Sequence, residues 1–289
     1  MKQMTVVRKV AVASVLTLVL TAVSCGHGNT SAEGETTDTL QMEDSLDEDT
    51  TEFLAELDDG LSLGEREIEV FGDFIFAFTH NGRFQAERIR FPLHVVELDG
   101  SEDAIRSGKR FRSEFQLPGN DYYTLILGNR NQMDVFQNDS MLTHVALQIL
   151  STEDMTSLNY NFRRTDGRWY LESRTHTHIN PQIVDFMHFY HQFVTDTVFQ
   201  QDRLAQQVAL TMDDPEDGEE GIEGTIDRDQ WPVFRPEMPS GQFVNIDFGQ
   251  VIAHPHRILL LKCGISNSMM DIFTFQQNEG QWKLTSYEN

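Results

Sequence analysis

Four histidines come nearest to a metal-binding pattern in this chain: His176 and His178 two apart, then His188 and His191 three apart. The first spacing sets two imidazoles on one face of a strand and the second sets two on adjacent turns of a helix, so four nitrogens have the count a tetrahedral ion needs. The helix argues against it. At about 100° per residue, His188 and His191 point away from the apolar stripe Phe186, Phe189 and Phe193, toward solvent or a neighbouring domain. The reading is histidines without a metal, in a protein without a cofactor.

Other candidates are fewer. Arg88 and Arg203 occupy equivalent places in a repeated motif; each is expected to tie its helix to a carboxylate or to carbonyls, with an anion-binding role as the sharper alternative. Tyr122 and Tyr123 are further candidate contacts for a ligand or anion. Asp73, Tyr122, Tyr123, Asp134 and Tyr160 could serve acid–base chemistry by type, but their spacing follows no template. The chain contains no P-loop, H-E-x-x-H or Rossmann glycine set. Its acidic cluster from Asp213 to Asp229 lacks the alternating spacing of a calcium loop and reads as a solvated loop.

The elements that position these residues are written twice. Phe71, Phe74, Phe78, Phe84, Gln85 and Arg88 recur 115 residues later as Phe186, Phe189, Phe193, Phe199, Gln200 and Arg203. Phe162, Gly167, Trp169, Leu171 and Ser173 recur after 113 residues as Phe275, Gly280, Trp282, Leu284 and Ser286. The first block has helical spacing, broken at Asn81-Gly82 and resumed over 84–89. Apolar runs over 91–96 and 208–212 suit a strand, and a short helix is expected over 101–115. In the second half the proline-rich run after Trp231 excludes a long helix or a central strand. Antiparallel strands are expected over 122–127, 142–150, 158–164 and 168–175, matched by 243–248, 257–263, 270–276 and 281–287. Asp166-Gly167 and Glu279-Gly280 close the last hairpin of each half. Trp169 with Leu171, and Trp282 with Leu284, fall on one face of the final strand.

The N-terminus carries Lys2, Arg8 and Lys9, an apolar run from Val10 to Val23, and then Cys25. The run is too short for a membrane span, which needs about 20 residues, and reads as an export signal. Leu20, Ala22, Val23 and Ser24 before Cys25 resemble a lipobox, so Cys25 is expected to be acylated; the alternative is a cleaved secretory signal with an incidental cysteine. Cys263 is then unpaired, on an apolar strand. Residues 26–60 hold twelve acids and no Lys or Arg, and the whole chain has a net charge of −24. That stretch is expected to be a disordered tether reaching on the order of 35 Å. Nothing resembles a nucleic-acid surface, which needs clustered Lys and Arg.

The expected organisation is a signal over 1–24, an acidic tether over 25–64, and two tandem α+β domains over 65–178 and 179–289. Helices followed by a curved antiparallel sheet resemble the cystatin-like cone of the nuclear transport factor 2-like fold, shared with ketosteroid isomerase and scytalone dehydratase. The doubled F-x-x-F-x-x-x-F and F-Q-x-x-R-[IL] patterns with the terminal G-x-W-x-L resemble those of an uncharacterised lipoprotein family from Gram-negative gut bacteria. The resemblance implies an interior cone able to hold a ligand, and it brings no catalytic motif. The functional reading is a non-catalytic ligand-binding or interaction lipoprotein on the periplasmic side of the outer membrane. Its expected partners are outer-membrane lipid, through acylated Cys25, and an apolar small molecule or an envelope protein. The alternatives are a scaffold whose cones are filled by their own side chains, and a hydrolase or isomerase using one cone.

Overall fold

The computed structural model describes residues 68–212, 221–253, 256–265, 267 and 269–289, all within the compact unit Ser62–Asn289. The signal, Cys25, the acidic tether and the first part of the second acidic cluster lie outside the described residues.

Each half opens with a helix pair, α1 (Phe71–His80) and α2 (Gly82–Glu87), then α5 (Val184–Thr195) and α6 (Thr197–Asp202). The break between the helices of a pair is chemical. Asn81 Oδ1 accepts from the Arg83 and Phe84 amides at 3.0 and 3.1 Å, and Asp196 Oδ1 accepts from Val198 and Phe199 at 2.9 and 3.0 Å; both are N-caps of the second helix. The repeated glutamine closes the other end. Gln85 Nε2 donates to the Phe78 carbonyl at 3.1 Å and Gln200 Nε2 to the Phe193 carbonyl at 2.8 Å, so carbonyls left open where the first helix ends are satisfied inside the core.

The strands are β1 (Ile89–Val96), β2 (Glu102–Ile105), β3 (Tyr122–Leu127), β4 (His144–Ser151), β5 (Thr156–Thr165) and β6 (Arg168–His178) in the first half. The second half has β7 (Leu204–Met212), β8 (Ile222–Asp227), β9 (Gln242–Asp247), β10 (Arg257–Gly264), β11 (Met270–Asn278) and β12 (Gln281–Glu288). Short helices α3 (Gly108–Glu114), α4 (Asn131–Gln137) and α7 (Trp231–Phe234) complete the order. The helix expected over 101–115 is corrected: its first part is the edge strand β2, paired with β1, and α3 starts only after Ser107, whose hydroxyl accepts from the Arg110 amide. Asp166-Gly167 and Glu279-Gly280 have positive φ at both positions, 51° and 81°, then 53° and 74°. That is the backbone a tight two-residue hairpin needs.

All twelve strands form one sheet, in the order β2-β1-β6-β5-β4-β9-β3-β10-β11-β12-β7-β8. Two tandem domains over 65–178 and 179–289 would each close a sheet of their own. Instead the halves exchange a strand: β9 of the second half pairs with β4, and β3 of the first half pairs with β10. The central strands are therefore covered on both faces, which explains the apolar runs Tyr122–Leu127 and Ile258–Leu261. Leu125, Leu127, Leu259 and Leu261 face the first-half core with Phe71, Phe74, Phe78, Phe162 and Trp169. Tyr122, Ile126, Ile258 and Leu260 face the second-half core with Phe186, Phe189, Phe193, Phe275 and Trp282. The aromatic contacts repeat as well: Phe78 meets Phe162 edge-on at 5.2 Å and Phe193 meets Phe275 at 5.4 Å.

Candidate functional site

A cleft of about 950 Å³ opens on the first-half face of the sheet. Its floor is laid by the exchange, with Leu147 from β4, Val244 and Ile246 from β9, Tyr123 and Leu125 from β3, and Leu261 and Cys263 from β10. One wall is the flank of α1 (Gly72, Ile75, Phe76, Thr79) and the other is Met133 and Phe136 of α4. Phe136 is held over the floor by Phe248, at 5.4 Å between ring centroids. Gln132 anchors α4 by accepting from the Gly128 amide at 2.8 Å and donating to the Val251 carbonyl at 2.9 Å. Val70, Phe76, Ile265 and Met270 at the mouth are each exposed by about two fifths or more, a cluster of large apolar groups at one opening.

The repeat explains why this side is open. At the displacement that relates α1 to α5, Gly72 corresponds to Met187 and Ile75 to Tyr190. Met187 and Tyr190 are fully buried in the second-half core, and the Tyr190 hydroxyl donates to the Pro239 carbonyl at 2.7 Å. Gly72 is exposed, and a Cβ built on it meets nothing within 4 Å. Two larger side chains on one helix thus fill the second core where smaller ones leave the first open.

The polar groups on the floor are neutral. Tyr123 and Cys263 sit opposite each other in the β3–β10 ladder. Burial pushes the Cys263 thiol up to about 11 and the Tyr123 hydroxyl well above its ordinary range. Such a floor can bind an apolar body and offer a hydroxyl. With both groups raised, neither Tyr123 nor Cys263 is activated as a base or nucleophile at neutral pH.

Of the residues the sequence singles out, Tyr123 and Asp73 line the cleft, and Tyr122 does not: one position along β3, it faces the second core. Arg88 is engaged by Glu69 in a bidentate pair at 2.9 and 3.0 Å, and it also donates to the Trp169 carbonyl. Arg203 donates to Gln281 Oε1 at 2.8 Å and sits over the Phe199 ring. Neither lines the cleft. Asp134 is exposed on α4, and Tyr160 is buried against Phe115 at 4.9 Å. His176 and His178 lie on β6, His188 is exposed on α5, and His191 Nδ1 lies 3.2 Å from Thr152 Oγ1 of the first half. Among the described residues no three His, Cys, Asp or Glu side chains are grouped to hold a metal.

One polar cluster escaped sequence reasoning. Lys262 and Asp271 pair at 3.6 Å with both side chains 7% exposed. Tyr287 donates to Asp271 Oδ1 at 2.7 Å, and Lys262 donates to the Glu237 carbonyl at 3.3 Å with its ammonium 5.1 Å from the Tyr122 ring centre. The first half has Ile149 and Leu158 at the equivalent places, so the cluster belongs to the second core alone. A lysine inside the apolar run of β10 was its visible signal. Each charge is already partnered, and the cluster does not line the cleft.

The sequence profile of DUF4348, a domain of unknown function, matches residues 63–289. The chain belongs to the DUF4348 family. No curated protein matches this DUF4348 chain. Among solved structures it is similar to an NTF2-like protein, BF2862, from Bacteroides fragilis NCTC 9343, at 30% identity and a TM-score of 0.67, over 78% of this chain and 98% of that one. The α+β fold, with helices preceding a curved sheet, is therefore that of an NTF2-like DUF4348 protein. Among the described residues no helix is long and apolar enough to cross a membrane.

Proposed function

We propose that this protein is a non-catalytic binding lipoprotein whose first-half cleft takes up an apolar small molecule. The observation that carries the reading is the asymmetry between the cores, one filled by Met187 and Tyr190 and the other open beside Gly72 and Ile75. A volume of about 950 Å³ lies within the range of small-molecule sites, and the lining is mainly apolar with few polar groups, the usual composition of such a site. Burying ten methylenes at about 0.8 kcal/mol each contributes roughly 8 kcal/mol before ordering costs, enough for micromolar binding if the cleft is preformed. The test is titration with the uncharged fluorophore N-phenyl-1-naphthylamine. Saturable binding of one probe per chain, displaced by 1-dodecanol, is expected; unsaturable or absent binding overturns the reading.

The anchoring part of the proposal rests on Leu20, Ala22, Val23 and Ser24 before Cys25. Acylation there would hold the folded part at the outer membrane through the acidic stretch that follows Cys25, facing the periplasm. Cys25→Ser should abolish labelling by a radiolabelled fatty acid and release the protein from membranes. Unchanged fractionation of that variant contradicts the anchoring.

A further inference from the structure

The charge around the cleft is one-sided. Tyr123 and Cys263 on its floor are both protonated at neutral pH, and Asp73 stands exposed at its edge. Among the described residues no lysine or arginine lines it. Among the described residues His80 is the one lining side chain able to carry a positive charge, and its Nδ1 is already engaged by the Phe76 carbonyl at 2.8 Å and Thr79 Oγ1 at 3.0 Å. The chain as a whole has a net charge of −24. An anionic head group entering here would lose hydration, approach a carboxylate and find no lysine or arginine to pair with. A hydroxyl differs in kind: it can donate to Asp73, which an ionised carboxylate, an acceptor only, cannot do.

Resting on the reading of the cleft as a ligand site, we infer that it selects by charge, accepting uncharged alcohol-type amphiphiles and rejecting carboxylates of the same chain length. The selection is electrostatic and acts at the edge of the cleft, while the apolar floor of Leu125, Val244 and Leu261 treats both chains alike. It therefore weakens at high salt.

The experiment is displacement of N-phenyl-1-naphthylamine from the chain carrying Cys25→Ser, which removes only the acylation site. 1-Dodecanol is compared with dodecanoate at low and high salt, at about pH 8, where the fatty acid is fully ionised. The expected result is displacement by the alcohol at a concentration at least tenfold lower than by the acid, a gap that narrows at high salt and in Asp73→Asn. Equal displacement by the two compounds overturns the charge selection and leaves the ligand-site reading standing. Failure of the probe to bind at all overturns the ligand-site reading, and the selection with it.

Discussion

Thr124 and Asn245 face each other across two parallel strands at the centre of the sheet, and they occupy equivalent positions in the two halves of the sequence. The pseudo-twofold relation of the repeat passes between them. Thr124 Oγ1 lies 3.0 Å from Asn245 Oδ1, and Asn245 Nδ2 donates to Gln148 Oε1 at 2.8 Å, so the exchanged strands are joined by a buried polar chain. An internal strand exchange of this kind imitates a swapped dimer within one chain.

Thr124→Val keeps the shape of the side chain and removes its hydroxyl, leaving Asn245 Oδ1 buried without that donor. The expected loss is about 1–3 kcal/mol in urea unfolding. Thr124→Ser, which retains the hydroxyl, should lose less. Equal losses for the two variants would show that packing, not the hydrogen bond, holds the junction.

Half of this architecture was legible in the sequence, and the reasons differ by element. The helix pairs and the terminal hairpins were readable because their determinants are local: Asn81 and Asp196 cap, Gln85 and Gln200 turn back, and Gly167 and Gly280 permit the turn. The exchange of β3 and β9 was not, because an apolar run states that both faces are buried but not which strand lies alongside. The edge strand β2 was hidden by its acids, Glu102 and Asp103. The cleft was hidden because its determinant is a missing side chain, and Gly72 acquires meaning only when set against Met187 in the aligned repeat.

Lys262→Met leaves Asp271 buried with only Tyr287 as a partner. Breaking one member of a buried pair typically costs about 3–5 kcal/mol, whereas replacing both members by apolar residues is often close to neutral. The double variant Lys262→Ile/Asp271→Leu copies the first half and should recover most of the loss. Guanidinium unfolding of both variants measures it, and a double variant as unstable as the single one would contradict the account.

Alkaline pH should destabilise the fold through its buried acids. The Cys263 thiol is raised in the folded state from 9.0 to about 11, and Tyr160 from 10.0 to about 12. Both contributions are complete below the unfolded values and are lost as pH rises through the folded ones, because the unfolded chain ionises first. For Cys263 the window runs from about pH 9 to 11, and a shift of that size corresponds to roughly 3 kcal/mol. Cys263→Ala should show a shallower fall in thermal midpoint across that window. An identical slope in the variant would remove the thiol from the explanation.

Gly72→Met with Ile75→Tyr writes the second-half residues into the first. A Cβ at Gly72 meets no neighbour within 4 Å, and replacing a helical glycine gains about 0.5–1 kcal/mol. The double variant should be at least as stable as the parent in thermal unfolding yet lose binding of N-phenyl-1-naphthylamine. Retained binding with full stability would place the probe elsewhere.

The central claim, one open core and one filled, is tested most directly by methyl NMR of the methionines during titration with 1-dodecanol. Met133 and Met270 line the cleft, while Met187 and Met238 lie in the second core. Shifts at Met133 and Met270, with Met187 and Met238 unmoved, are the predicted result. Shifts at Met187 and Met238, or at none of the four, would contradict it.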